Sequence, residues 1–342
     1  MTRGADVDRA AALLAAGELV AFPTETVYGL GADASRADAI AKIFAAKGRP
    51  SAHPLIVHLA ANASLDGWAA SVPDAALSLV AKFWPGPLTI VVARGSRVDL
   101  AATGGGATVG LRVPAHPLAQ RLLAAFGGGV AAPSANRFGA VSPTTADHVR
   151  ADLGAAVSYI LDGGPCAVGV ESTIVDFTRG APALLRPGGV PREAIEAVMR
   201  APLATAGDDA PAAPGTLASH YAPRAEVIAV ALEDVPAALD SVYEREDPII
   251  SQPRDTTAVI GKPLHVAVLA PRAAFAAWGA LPAQAIPLPD DLDELAAALY
   301  GALRDLDAAG VDVVIAALPP AVGLGEAVAD RLRRAAGPRS QR

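Results

Sequence analysis

Short apolar runs, amphipathic stretches and Gly/Pro interruptions divide the chain into elements. Arg9–Ala16 reads as a helix closed by Gly17, and Leu19–Phe22 as a strand stopped by Pro23. Further helices are predicted over Ala37–Ala46, Pro73–Phe83, Pro117–Phe126, Thr145–Leu153 and Arg192–Val198. Strands are predicted over Pro54–Leu59, Leu88–Ala93, Ala107–Val113, Val130–Ala132, Tyr159–Leu161 and Ser172–Phe177. This irregular order predicts an α/β fold with a twisted, mostly mixed sheet and helices packed on it. Beyond residue 220 the order is more regular, with strands at Glu226–Ala231, His265–Leu269 and Val311–Ala316 and helices at Leu292–Ala309 and Gly325–Ala335. That order predicts a smaller parallel α/β domain.

Between the two lies APLATAGDDAPAAPGTLAS, residues 201–219, which lacks an apolar period and reads as a linker stiffened by its prolines. A length of 342 residues suits about two domains. The chain has 80 Ala, and 24 Arg against 4 Lys, so alanine periodicity carries little weight. Positions that keep Thr, His, Asn, Tyr or Lys stand out against that background. With 18% charged residues the chain does not read as disordered or fibrous. A lone Cys166 rules out an internal disulfide, and without a CxxC pair it rules out a thiolate zinc site. No apolar run reaches the 18 or more residues of a spanning helix. Arg3, Asp6, Asp8 and Arg9 make the first residues unlike a secretory signal, so a soluble cytoplasmic protein is expected.

Residues 1–200 hold 17 basic and 16 acidic side chains, whereas residues 201–342 hold 11 and 19. That balance does not suit a general nucleic-acid binder, which shows a basic face. Any anion site in the first part must come from a few focused cations. The acidic surplus of the second part reads as a solvated face, and no cluster of chemistry stands out there.

Several segments of the first part could hold chemistry. FPTETVYGLG (22–31) presents Thr24, Glu25, Thr26 and Tyr28, and Gly29–Ala34 fits a GxGxxA pattern. A dinucleotide loop there lacks both the preceding strand contact and an acidic residue about 20 positions on, so a tight turn before a helix is the plainer reading. In AKGRPSAHPLIVH (46–58), Lys47 and Arg49 supply a point charge and a fork suited to a polyphosphate, or else a solvated helix C-terminus. His58 on its apolar strand reads first as a core histidine. Arg112, among apolar residues, needs an anion: Glu25, Glu171 or a ligand carboxylate. Ser134 and Asn136 follow a short strand and a proline, where a turn can serve as an anion nest or simply as a turn. Gly163, Gly164 and Gly169 precede Glu171-Ser172-Thr173, and Arg186 precedes another turn.

Taken in order and spacing, PTETVYGLG, AKGRP with PLIVH, FWPGPLT, LRVPAHP, APSAN with SPT, DGG with GVEST, and LRPG resemble the YrdC/Sua5 family over about residues 9–223. PGTLASHYAP (214–223) is similar to the linker of the long Sua5 type. The resemblance implies a YrdC-like catalytic domain over 1–200, a linker or lid over 201–223, and a Rossmann-like C-terminal domain over 224–342. It implies synthesis of L-threonylcarbamoyl-adenylate and pyrophosphate from L-threonine, bicarbonate and ATP, for the threonylcarbamoyl modification of tRNA.

Carried over by position, Thr26, His58, Arg112 and Ser172 fall where the family holds threonine. Arg49, His53, Thr108, Ala132, Ser134, Ser142 and Arg186 fall where it holds ATP, with Lys47 and Asn136 completing Lys-x-Arg and Ser-x-Asn pairs. Tyr221 matches a residue that folds over the nucleotide, and Lys47 and Arg49 are the candidate catalytic cations. His53 replaces a common Asn, and Thr-Leu-Ala-Ser replaces a common Met-Lys-Tyr-Arg. No acidic cluster offers a metal site, so Mg²⁺ is expected on the ATP phosphates. The product would pass to tRNA threonylcarbamoyl-transfer machinery, with no membrane partner. A double-stranded RNA or tRNA-binding module is the alternative, weakened by the acidic second part. A carbamoyl-transfer module of the hydrogenase-maturation type is a third, weakened by the absence of acylphosphatase and zinc-finger segments.

Overall fold

The computed structural model describes residues 2–207, 210–217, 219–246 and 264–338. Positions 208, 209 and 218 of the expected linker lie outside them.

The first sheet runs Thr2–Gly4, Tyr159–Leu161, Val20–Phe22, Gly29–Asp33, Val130–Ala131, Ile56–His58, Thr108–Arg112, Leu88–Arg94, Thr173–Asp176, Ala183–Arg186 and Ala204–Thr205. Ala69–Ser71 pairs off this line with Leu88–Arg94. Parallel and antiparallel pairs mix. Alternate residues face opposite layers. Val20 and Phe22 pack with the helices Val7–Ala15 and Pro117–Phe126, whereas Leu19 and Ala21 join the core built with Ala37–Lys47 and Asp74–Phe83.

The element ends follow local chemistry. Asp6 caps the first helix by accepting from the Arg9 N–H, and Gly48 ends Ala37–Lys47 in the left-handed region. The predicted helix Pro117–Phe126 and strand Tyr159–Leu161 appear with the expected bounds. Gly29-Leu30-Gly31 differs from expectation. It lies in a central strand, antiparallel to Val20–Phe22 and to Val130–Ala131, and is not a turn. A Cβ on Gly31 would lie 2.8 Å from Val130 and 2.9 Å from Phe22, so this glycine answers strand packing.

The second sheet is fully parallel, in the order Glu226–Val230, Val313–Ala317, Val266–Pro271, Gln284–Leu288. The helix Arg272–Trp278 and the strand Gln284–Leu288 lie where no element was expected. Helices Leu292–Ala308 and Gly325–Ala335 cover the side facing the first domain. Val27, Val141 and Val170 of the first domain share one core with Leu295, Leu299 and Leu303. Continuous apolar burial of that kind holds two domains in one arrangement.

Gly169 marks the closest approach. Its φ of +77° suits glycine, and a Cβ there would lie 2.4 Å from the Ala296 carbonyl oxygen and from Ala297 Cα. Gly169→Ala is expected to cost more than about 2 kcal/mol, from backbone strain plus the clash. Chemical denaturation measures this, and an unchanged midpoint would show that the helix does not sit there.

Candidate active site

Strand register sets the centre of the site. His58 and Arg112 are direct partners on neighbouring parallel strands, so both side chains leave the same face. The turn after Val130–Ala131 brings Ala132 and Ser134 beside them, and Glu171-Ser172 enter just ahead of Thr173–Asp176. Together with Thr26, Arg49 and Arg186 they line a cavity of about 540 Å³. Pro214, Gly215, His220 and Tyr221 of the expected linker cover it.

Each cation has a distinct environment. Arg112 donates from Nη2 to Glu25 Oε1 at 2.6 Å and from Nε to the Gly86 carbonyl at 3.3 Å, which decides its partner in favour of Glu25. Its Nη1 has no partner among the described residues. Arg186 donates to the Ser172 carbonyl at 2.8 Å and to the Pro214 carbonyl at 2.8 Å, clasping the covering segment. Arg49 donates to the Pro54 carbonyl at 3.0 Å and lies 5.6 Å from the Phe138 ring. Its buried Nε has no partner, and burial lowers the guanidinium to about 10. Such a desolvated, incompletely paired cation is what an anionic ligand would satisfy.

Glu171 is the buried counter-charge. It accepts from Ser142 Oγ at 2.6 Å, Tyr300 OH at 2.9 Å and Arg331 Nε at 2.8 Å. Burial alone would raise its carboxyl, but Arg331, Arg186 and the Ser142 hydroxyl outweigh it and hold it at about 2.

Not every expected residue lines this cavity. Lys47 Nζ donates to the backbone carbonyls of Ser134 at 2.6 Å and Asn136 at 2.5 Å, so its hydrogen bonds fasten the Ser134–Asn136 turn, while burial and then Arg49 push its ammonium well below the usual lysine range. The Asn136 amide donates to the Arg137 and Ala140 carbonyls, and Ser142 is engaged by Glu171. His53 packs against Phe138, with ring centroids 5.4 Å apart. Thr108 lines an adjoining cavity of about 280 Å³ under Ala212, Ala213 and Pro214. Thr26 shares a hydrogen bond with Thr24, and Ser172 with Thr89, each at 2.8 Å.

Tyr300 and Arg331 of the second domain reach the back of this wall, where no chemistry was expected from that domain. An arginine on the apolar face of Gly325–Ala335 was the available signal. Tyr221, at φ +59°, stacks on Tyr300 with centroids 5.8 Å apart, and the Arg331 guanidinium lies 5.0 Å from its ring. Cys166 is buried with its thiol raised to about 12, which makes it no nucleophile. Among the described residues no group of His, Cys, Asp or Glu could hold a metal, and no helix is long and apolar enough to cross a membrane.

Residues 12–188 match the profile of the Sua5/YciO/YrdC family, described as telomere recombination. Residues 190–337 match that of the threonylcarbamoyl-AMP synthase C-terminal domain. The threonylcarbamoyl-AMP synthase of Pyrococcus abyssi is 42% identical over 334 residues, covering 96% of this chain and 93% of that one. That of Bacillus subtilis is 40% identical over 343 residues, covering 99% and 95%. The crystal structure of P. abyssi Sua5 complexed with L-threonine superposes with a TM-score of 0.85 at 39% identity, over 96% of this chain and 94% of that one.

Burial, then Arg112, lowers the His58 imidazolium from 6.5 to about 3, and burial lowers His220 to about 3 as well. The unfolded chain therefore binds these protons first. The stability from neutral rings is complete above about pH 6.5 and is lost as pH falls toward 3. Between pH 7 and pH 5, His58→Gln should lose less stability than the parent chain, and equal losses in denaturation would contradict a neutral buried His58.

Proposed function

We infer the chemistry of this pocket from one premise: the chain belongs to the Sua5 branch of the YrdC family and has the activity of a threonylcarbamoyl-AMP synthase. The substrates are L-threonine, bicarbonate and ATP. The observation that supports the reading most is the gathering of Arg49, Arg112 and Arg186 in one cavity with Thr26, Ser134 and Ser172. The threonine amine bonds to the carbon of bicarbonate as a C–O bond breaks and water leaves, giving a carbamate. Its oxygen attacks the α-phosphorus of ATP as the bond to the β-phosphate bridge breaks, and pyrophosphate leaves. No protein nucleophile is required, so catalysis rests on positioning and on offsetting charge.

Arg112, held by Glu25, offers its remaining donors to the threonine carboxylate beside Thr26, His58 and Ser172. Arg49 and Arg186 face the polyphosphate, with Ala132, Ser134 and Tyr221 around the nucleotide. Lys47 and Asn136 act by holding the turn that carries Ser134, and Ser142 by bonding Glu171. Thr108 and His53 flank the nucleotide from the adjoining cavity and from the Phe138 side. Mg²⁺ enters on the ATP phosphates and water. Residues 1–200 form the catalytic unit, 201–223 the covering segment and 224–342 the second domain. The enzyme works in the cytoplasm and hands the adenylate to tRNA threonylcarbamoyl-transfer machinery.

Pyrophosphate release by the purified chain should require threonine and bicarbonate together, and release indifferent to either would remove the reading. Arg112→Ala should raise the KM for threonine roughly 30-fold, as expected for losing a charged hydrogen bond of about 2 kcal/mol, with a far smaller effect on ATP. Equal effects on both substrates would take the carboxylate role from Arg112.

A further inference from the structure

Arg331 is 1% exposed and belongs to the second domain, yet it touches three points at the edge of the pocket. Its Nε donates to Glu171 at 2.8 Å, beside Ser172, and its Nη2 donates to the Pro187 carbonyl at 3.0 Å, beside Arg186. Its guanidinium also lies 5.0 Å from the Tyr221 ring. We propose that Arg331 is a positioning residue for nucleotide binding, which offsets the charge of Glu171 and so leaves the positive charge of Arg186, whose N–H groups hold the Ser172 and Pro214 carbonyls, to act on the polyphosphate. The proposal rests on the reading of the pocket as an adenylating site.

Glu171 is a buried carboxylate on the cavity wall, paired with Arg331 at 2.8 Å and capped by the hydroxyls of Ser142 and Tyr300, and the next residue, Ser172, accepts from Arg186 at 2.8 Å. A buried carboxylate must have a counter-charge. If Arg331 is removed, Arg186 becomes that counter-charge, and the wall presents less positive potential to a polyanion. Arg331 thus acts through Glu171 and Arg186 without touching substrate, and docking of the second domain sets the electrostatics of the first. The interdomain pair Arg192–Glu326, 2.9 Å apart and half-buried, does not border the cavity and provides the comparison.

The test is calorimetric titration of full-length protein with MgATP at pH 8, alongside thermal unfolding, for the parent chain, Arg331→Met, Glu171→Gln, the double variant and Glu326→Gln. Arg331→Met should weaken ATP binding about tenfold, and adding Glu171→Gln should bring affinity back to within about threefold of the parent. Glu326→Gln should lower the Tm and leave the ATP Kd unchanged. A double variant no better than Arg331→Met, or an equal ATP loss in Glu326→Gln, would reduce Arg331 to interdomain glue and overturn the proposal. Should Arg331→Met fail to fold, Arg331→Lys decides, since it keeps the charge: affinity within about threefold of the parent supports the proposal and a tenfold loss overturns it. A parent chain that binds ATP but releases no pyrophosphate with threonine and bicarbonate would sink the adenylating reading, leaving the charge comparison separately readable.

Discussion

Burying three guanidinia around one cavity is the constraint to which the rest of the site answers, because each desolvated cation needs acceptors or a counter-charge. Arg112 takes Glu25, Arg186 takes the Ser172 and Pro214 carbonyls, and Arg49 keeps only the Pro54 carbonyl with its Nε unsatisfied. Lys47 is spent on two carbonyls and shapes the Ser134 turn. The cavity therefore keeps a positive character that is partly committed and partly waiting. That is how a nearly neutral first domain can gather positive charge in one place.

The same constraint ties the domains together. Glu171 joins the Ser142 hydroxyl of the first domain to Tyr300 and Arg331 of the second, and Arg304 adds a bidentate pair with Asp152. Around these contacts lies a shared apolar core, which supplies the affinity between domains while the charges fix their register. The covering segment sits between, with Tyr221 wedged against Tyr300 and Arg331 and with Pro214 held by Arg186.

Much of the fold was legible where periodicity and punctuation agree. Gly17, Gly48 and Gly127 end helices, and Pro117 opens one where a proline should. Gly29–Asp33 was not legible as a strand, because glycines chosen for close sheet packing resemble a turn. Ala183–Arg186 and the edge strand Ala204–Thr205, both short and in Pro- and Ala-rich surroundings, gave no clear period. In the site, conspicuous residues such as Arg112 and Ser134 announced themselves against an alanine-rich background. The choice between Glu25 and Glu171 for Arg112 could not be read from spacing, since it depends on how distant strands meet. The reach of Tyr300 and Arg331 was hidden for the same reason: Arg331 on an apolar helix face signals burial, but its partner depends on how the domains dock.

On the proposed reading, the pocket joins an amino acid to a nucleotide without a protein-bound intermediate. The most direct measurement is mass spectrometry of the small molecules formed when the purified chain is given L-threonine, bicarbonate and MgATP. A species with the mass of threonylcarbamoyl-adenylate, taking up isotope from labelled bicarbonate, is the predicted result. Protein that binds all three yet yields only AMP or ADP, with no label joined to the nucleotide, would contradict it.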